Sequence, residues 1–243
     1  MKKEETEVPM MIAQIFVSPD RDAIVPPFTS KVGKSLLGNP SGVSISPLKK
    51  DNEYLFKLAK DQVVLEVRGG EIYSFEVGGE EEKVMSALLN LTARTVFNSK
   101  WTVEDVTLTK ACVPKSSKFV LEIKTPALLV SPYVKSKRKV FTNCPSVLFF
   151  TNAIDVIQAE RGEDKLRETL SALDLLLWPE PSVMKYSTIT YAGKRVVGMM
   201  GRFTYSILNQ DEMVYHILND ALAKGIGSSR KNGFGRIEIR VWD

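Results

Sequence analysis

DEMVYHILNDALAKGIGSSRKNGFGRIEIRVW, residues 211–242, reads in order as a helix, a bare loop and a strand. Met213, Val214, Ile217, Leu218, Ala221 and Leu222 recur at helical spacing and predict one inward face, with His216 on the opposite side. The alternation in GRIEIRVW predicts the strand. Between them lie two glycine doublets, each around one apolar residue, with Arg230 and Lys231 in the middle. A dinucleotide fingerprint has its glycines after a strand and before a helix, so the polarity is reversed, and the Gly-Lys-Ser/Thr ending of a nucleoside-triphosphate loop is missing. Gly225 alone is explained as a helix cap. The full set leaves two readings. The N–H groups of Gly225, Gly227, Gly233 and Gly235 approach a phosphate that Arg230 and Lys231 attract, or the stretch is a tight structural turn.

Working back from this stretch, residues 183–208 predict a hairpin turning at Ala192-Gly193. Residues 145–178 predict helix, with Leu166, Leu170, Leu173 and Leu177 as its stripe, and KFVLEIKTPALLV (118–130) predicts a strand. The order β-α-β-β-α-β then recurs in the first half. MIAQIFV (11–17) is strand-like, and Thr29 and Ser30 can cap a helix TSKVGKSLL (29–37). On that helix Val32, Leu36 and Leu37 share one side, while Lys31 and Lys34 share the other. In VVLEVRGGEIYSFEV (63–77), Gly69-Gly70 reads as a two-residue hairpin turn. EEKVMSALLNL (81–91) follows as a helix with Val84, Met85, Leu88 and Leu89 on one face, and WTVEDVTLT (101–109) closes the half. This order is that of the split-βαβ unit. The expectation is an α+β protein of two tandem ferredoxin-like domains, residues 1–113 and 114–243.

Composition agrees with that size. Among 243 residues, 44% are hydrophobic and 26% charged, and no run approaches the ~20 apolar residues of a spanning helix. MKKEETEV places acids where a signal peptide is basic, so a cytoplasmic protein without membrane attachment is expected. One histidine, with Cys112 and Cys144 too far apart for a CxxC pair, predicts no zinc site and buried, reduced thiols; no metal or cofactor is expected. The net charge of +4 is mild, but its distribution is not. No acid occurs in 23–50, 123–154, 181–210 or 221–237, and each run carries several cations. Such segregation predicts a positive face that meets phosphate.

GIGSSRKNGFG resembles the glycine-rich loop of the repeat-associated (RAMP) superfamily of CRISPR proteins, whose form is Gly-apolar-Gly, five residues with a cation, Gly-apolar-Gly before the last strand. SISPL (44–48), KTPALL (124–129) and GMMGRFTYSI (198–207) are similar to stretches of its repeat-RNA-processing endoribonuclease family, and TSKVGKSLL resembles archaeal members. The resemblance also implies the tandem ferredoxin-like fold. It implies binding of CRISPR repeat RNA and one metal-independent cut, in which the ribose 2′-OH attacks the adjacent phosphate to leave a 2′,3′-cyclic phosphate and a 5′-OH. Many members carry a histidine in or just after the first helix, and this chain has none there. Some archaeal relatives without it use lysines on this helix that match Lys31 and Lys34, while a further family lysine before the SPL motif has no counterpart here; Lys49 is a third candidate on its charge and not on the resemblance. A lysine, whose free pKa of ~10.4 keeps it protonated at neutral pH, is a poor base but suits stabilisation of a phosphorane or protonation of the leaving oxygen.

RNA contact is expected from Lys50, from the loop with Ser228, Ser229, Arg230 and Lys231, and from YVKSKRKV (133–140). In the last, Lys135, Lys137, Arg138 and Lys139 would grip phosphates while Tyr133 and Phe141 offer rings. A CRISPR effector complex and a second copy of the chain are the protein partners the reading allows. Two alternatives stay open: a RAMP protein that binds repeat or guide RNA without cutting it, and a small-molecule phosphate enzyme built on the glycine loop.

Overall fold

A computed structural model of the chain describes residues 8–58, 64–133, 140–157 and 162–242. Its first half contains β1 (Met10–Pro19), β2 (Ala23–Val25), α1 (Ser30–Leu36), β3 (Ser44–Ile45), β4 (Lys49–Lys50), β5 (Glu53–Tyr54), β6 (Leu65–Val67), β7 (Tyr73–Glu80), α2 (Glu81–Leu88), β8 (Arg94–Val96) and β9 (Ser99–Lys110). The second half contains β10 (Lys118–Ala127), α3 (Pro145–Leu148), α4 (Phe150–Val156), α5 (Glu163–Leu176), β11 (Leu177–Pro179), β12 (Val183–Tyr191), β13 (Lys194–Ile207), α6 (Glu212–Lys224) and β14 (Ile237–Trp242). Two antiparallel ferredoxin-like units stand in tandem. One sheet runs β5-β4-β7-β1-β9-β8 with β3 also on β7; the other runs β11-β13-β10-β14 with β12 also on β13.

Alternation along β1 buries Ala13, Ile15 and Val17 against Val32 and Leu36 of α1 and Val84 and Ala87 of α2. In the second unit Phe119, Leu121 and Ile123 of β10 meet Leu170 and Leu173 of α5 and Val214, Ile217 and Leu218 of α6. Each valine, leucine, isoleucine or phenylalanine among them contributes about 1.5–3 kcal/mol by leaving water. No helix of the described residues is long and apolar enough to cross a membrane.

Several local expectations change. Gly69-Gly70 does not join a hairpin: β6 pairs with β2, while β7 pairs with β1, β3 and β4. The turn lies instead against Arg21, and Asp22 Oδ1 accepts from Gly69 N at 2.8 Å. Thr29 does not cap α1, because its hydroxyl donates to Leu55 O and accepts from Leu48 N. On α2 the buried residues are Val84 and Ala87, whereas Met85 and Leu89 are exposed; the apolar face is rotated toward Ala87, a residue too small to mark it. The predicted helix 145–178 is broken into three, and its last residues form β11, which takes backbone partners from β13. Both cysteines are free thiols as expected, but Cys112 is exposed and Cys144 only partly buried.

The two units are clamped together. Phe28 stacks on Phe234 at 4.6 Å, with Tyr191 edge-on to Phe234 at 5.3 Å and Leu128 and Ile189 alongside. The carbonyl of Ala223, near the end of α6, sits where a side chain at Gly78 would begin: a Cβ there would lie 1.8 Å from it. Beside this contact the fully buried Arg236 donates Nη1 to Ala223 O at 2.6 Å and Nη2 to Glu76 Oε2 at 2.8 Å. Glu76 also accepts from Lys49 Nζ and Tyr54 OH. The charged pair Glu76–Arg236 thus ties β7 of the first unit to the residue that follows the glycine loop of the second.

Candidate active site

The loop between α6 and β14 is made by its apolar residues as much as by its glycines. Ile226 plugs the core of the second unit, and Phe234 enters the aromatic cluster between the units. To bring both plugs down, the two arms cross. Ile226 N donates to Gly235 O at 2.9 Å, and Gly235, at φ +68°, has Ile226 O only 2.0 Å from where a Cβ would stand. Any L side chain there would collide with backbone. The glycines are therefore buried, and the N–H groups of Gly225, Gly233 and Gly235 bond to Ala221 O, Arg230 O and Pro126 O. The expectation that those three N–H groups reach out to phosphate is corrected, because the crossing of the arms takes them.

What the crossed arms present is the segment between them. Ser229, in the left-handed region at φ +63°, leads into one 3-10 turn, Arg230–Asn232. This turn docks on the first unit: Ser44 Oγ donates to Arg230 O at 3.0 Å, Ser30 Oγ donates to Asn232 O at 2.7 Å, and Lys34 Nζ donates to Asn232 Oδ1. The first helix and the glycine loop, nearly two hundred residues apart in sequence, are brought together. Lys31 and Lys231 are exposed and Lys34 is half-buried. None of the three forms an ion pair among the described residues. Burial first, then the charges of Lys231 and Lys31, hold the Lys34 ammonium below the ordinary lysine range. Of the three, Lys231 lines a cleft of about 420 Å³, together with Ser44, Lys83, Ser229 and Arg230 and the acids Glu80 and Asp155.

The other expected residues lie elsewhere or are otherwise engaged. Lys49, a candidate third cation at the phosphate, is buried, and its Nζ contacts Glu76 at 2.5 Å. Lys50 pairs with Glu71. Arg230 turns away from the lysines: Nη2 meets Asp155 at 3.0 Å and Nη1 meets Asp220 at 3.4 Å, while Lys224 bridges the same two acids. Asn152 donates to Asp220 and to Gly225 O, tying this group to the loop's first glycine. Lys135, Lys137, Arg138 and Lys139 lie outside the described residues. Tyr133 is exposed and donates its OH to Ser146, and Phe141 rests edge-on against Tyr186. His216 is partly exposed on α6, on a different element from the lysines. A second cleft, of about 360 Å³, lies between Glu53 and Tyr54 of one unit and Glu122 and Lys124 of the other; its two acids and one acid-paired lysine suit an anion poorly.

Residues 11–111 match the family model described as the Cas6 N-terminal domain. The chain thus resembles Cas6 proteins in sequence over its first unit. Its whole length shares the Cas6 fold. The structure of Thermus thermophilus Cas6 matches with TM-score 0.60 at 12% identity, covering 96% of this chain and 98% of that one. A Cas6-related protein from Pyrococcus furiosus matches with TM-score 0.62 at 14% identity, covering 96% and 98%. A structure described as a RAMP protein binding different RNA substrates matches with TM-score 0.60 at 14% identity, covering 95% and 99%. Among curated proteins no sequence match is found.

Within this Cas6 fold, reading the sequence missed Asn232, Ser30 and Ser44, which join helix to loop. Nothing in the sequence marks them, since asparagine and serine in a loop are ordinary turn residues. It also missed the Glu76–Arg236 pair: Arg236 belongs to the acid-free run 221–237 that is expected to face phosphate, yet it is buried against Glu76 of the other unit.

Proposed function

We propose that the chain binds CRISPR repeat RNA and cuts the precursor transcript once, without a metal ion, to release guide RNAs. The observation that carries the reading is the meeting of three cations, Lys31, Lys34 and Lys231, that have no acid partner among the described residues, where α1 abuts the glycine loop. In the cut, the 2′-OH of the ribose attacks the adjacent phosphorus and loses its proton to solvent or a nearby base. The P–O5′ bond breaks, and the departing 5′-oxygen takes a proton. The products are a 2′,3′-cyclic phosphate and a 5′-OH. The phosphorane on this path carries more negative charge than the diester, so fixed ammonium groups favour it over the ground state. Lys34, with its pKa lowered, gives up a proton near neutral pH more readily than an ordinary lysine and is the candidate acid toward the 5′-oxygen. Lys31 and Lys231 are the candidate phosphorane stabilisers. Lys49 is left out because its charge is engaged by Glu76. The basic run 135–139 is proposed as the arm that holds RNA phosphates away from the cut, and the product would pass to an effector complex in the cytoplasm.

The test is end-labelled repeat RNA incubated with excess protein in EDTA, with the product ends mapped. One cut leaving a cyclic phosphate supports the reading, and Lys31→Ala with Lys34→Ala should abolish it while most affinity remains. A second reading has one observation in its favour: the single histidine, His216, lies on α6 and not in or near α1. In that case the chain binds repeat RNA without cutting, and the same assay returns tight binding with intact RNA.

A further inference from the structure

We infer that Asn232 is a positioning residue, whose side-chain amide aims the Lys34 ammonium at the scissile phosphate; this rests on the nuclease reading above. Asn232 ends the 3-10 turn and meets α1 at two points. Its carbonyl oxygen accepts from Ser30 Oγ at 2.7 Å, and its Oδ1 accepts from Lys34 Nζ. Ser30 and Lys34 are four apart on the helix, so one stands above the other on a single face. One loop residue therefore clasps that face at its backbone and at its side chain. The turn cannot slide along the helix without breaking both bonds.

The chemistry of the clasp is selective. A lysine side chain carries about 2 kcal/mol of rotamer freedom, so an untethered ammonium reaches a reacting phosphate in only a fraction of its conformations. An acceptor that held it by charge would cancel that charge. Such an arrangement stands at the loop's start, where Arg230 of the loop and Lys224 of α6 are held by Asp155 and Asp220 and have no net charge to offer. Lys34 is held by a neutral amide, which uses one of three N–H donors and leaves two, with the full positive charge, for a phosphate. The charged groups facing Lys34 are Lys31 on its own helix and Lys231 on the loop, both cations. The junction of α6, the loop and α1 thus has two kinds of cation, acid-paired ones, Lys224 and Arg230, that build it and an amide-held one, Lys34, that is kept available.

The test uses the full chain with Asn232→Ala, Asn232→Asp and Asn232→Gln. Two readouts are taken: single-turnover cleavage of repeat RNA against pH, and the NMR titration of lysine side-chain signals, with Lys34 assigned by its loss in Lys34→Arg. A misplacement of about 1 Å at a reacting group costs on the order of 10²-fold in rate. Asn232→Ala is therefore expected to slow cleavage ~10- to 100-fold with RNA affinity within about threefold of wild type, and Asn232→Gln to recover part of the rate. Asn232→Asp places a carboxylate on the ammonium, so the Lys34 titration and the alkaline limb of the rate profile are both expected to move to higher pH. Wild-type cleavage together with an unchanged Asn232→Ala rate, or an Asn232→Asp variant whose Lys34 titration stays in place, overturns the role of Asn232 alone. Failure of the wild type itself to cut overturns the nuclease reading and, with it, the aim assigned to Lys34.

Discussion

Replacing Glu76 by glutamine probes the charged clamp between the two units. The carboxylate accepts from Lys49 at 2.5 Å, Tyr54 at 2.7 Å and Arg236 at 2.8 Å. Burial by itself would raise the pKa of Glu76, but Arg236 and then Lys49 outweigh it and hold the carboxyl at about 2, against 4.5 for an ordinary glutamate. At about 1.4 kcal/mol per pH unit, that depression corresponds to about 3 kcal/mol of stability. The folded pKa lies below the unfolded one, so this contribution is complete above about pH 5 and is lost as pH falls through 2. A second route gives a similar figure: removing one partner of a buried pair costs about 3–5 kcal/mol, because the other charge stays buried and uncompensated. Arg236, its side chain 2% exposed, has nowhere to go. Glu76→Gln should therefore lower the urea-unfolding free energy by about 3 kcal/mol at pH 7, read by tryptophan fluorescence and circular dichroism together, since two units can unfold separately. As pH drops from 5 toward 2, the wild type should converge on the variant. A deficit below about 1 kcal/mol at pH 7, or one that stays constant down to pH 2.5, would refute the account.

Three further outcomes are expected. Gly235→Ala, which forces a methyl against Ile226 O at a backbone angle L residues avoid, should cost more than about 1 kcal/mol and weaken RNA binding as the loop shifts; an unchanged melting temperature would show that the crossed arms yield easily. Lys231→Ala removes a cation that helps to lower the Lys34 pKa, so the alkaline fall of the cleavage rate should move to higher pH even as the maximum rate drops, and a limb that stays in place would separate the two lysines. Neutralising Lys135, Lys137, Arg138 and Lys139 should reduce the slope of log affinity against log salt by about 0.7 for each RNA phosphate that the protein no longer neutralises, and an unchanged slope would remove this run from the RNA interface.

The large elements were legible because each repeats a pattern that local physics enforces. Alternation marks β1, β10 and β14, the stripe of Leu166, Leu170 and Leu173 marks α5, and Ala192-Gly193 turns its hairpin as expected. Their order, met twice, gave the tandem fold. The errors came where a local signal has several tertiary outcomes. Gly69-Gly70 is a real turn, but turn chemistry does not say which strand lies beside it, and the sheet gave β7 to β1, β3 and β4. Thr29 is a good capping residue whose hydroxyl was claimed by Leu48 N and Leu55 O.

At the site the division is sharper. The sequence alone established which residues carry charge, that Lys31 and Lys34 share a helix side, and that a loop so rich in glycine needs an unusual backbone path. It could not say why the path is unusual. Tertiary structure decided that the glycines serve the crossing of two arms, that Lys49 and Arg230 are balanced by acids while Lys31, Lys34 and Lys231 have no acid partner among the described residues, and that Asn232 joins the loop to α1. The reason is distance. A cation's role depends on the groups within about 4 Å of it, charged or neutral, and for Lys34 one of them, the neutral amide of Asn232, is 198 positions away along the chain.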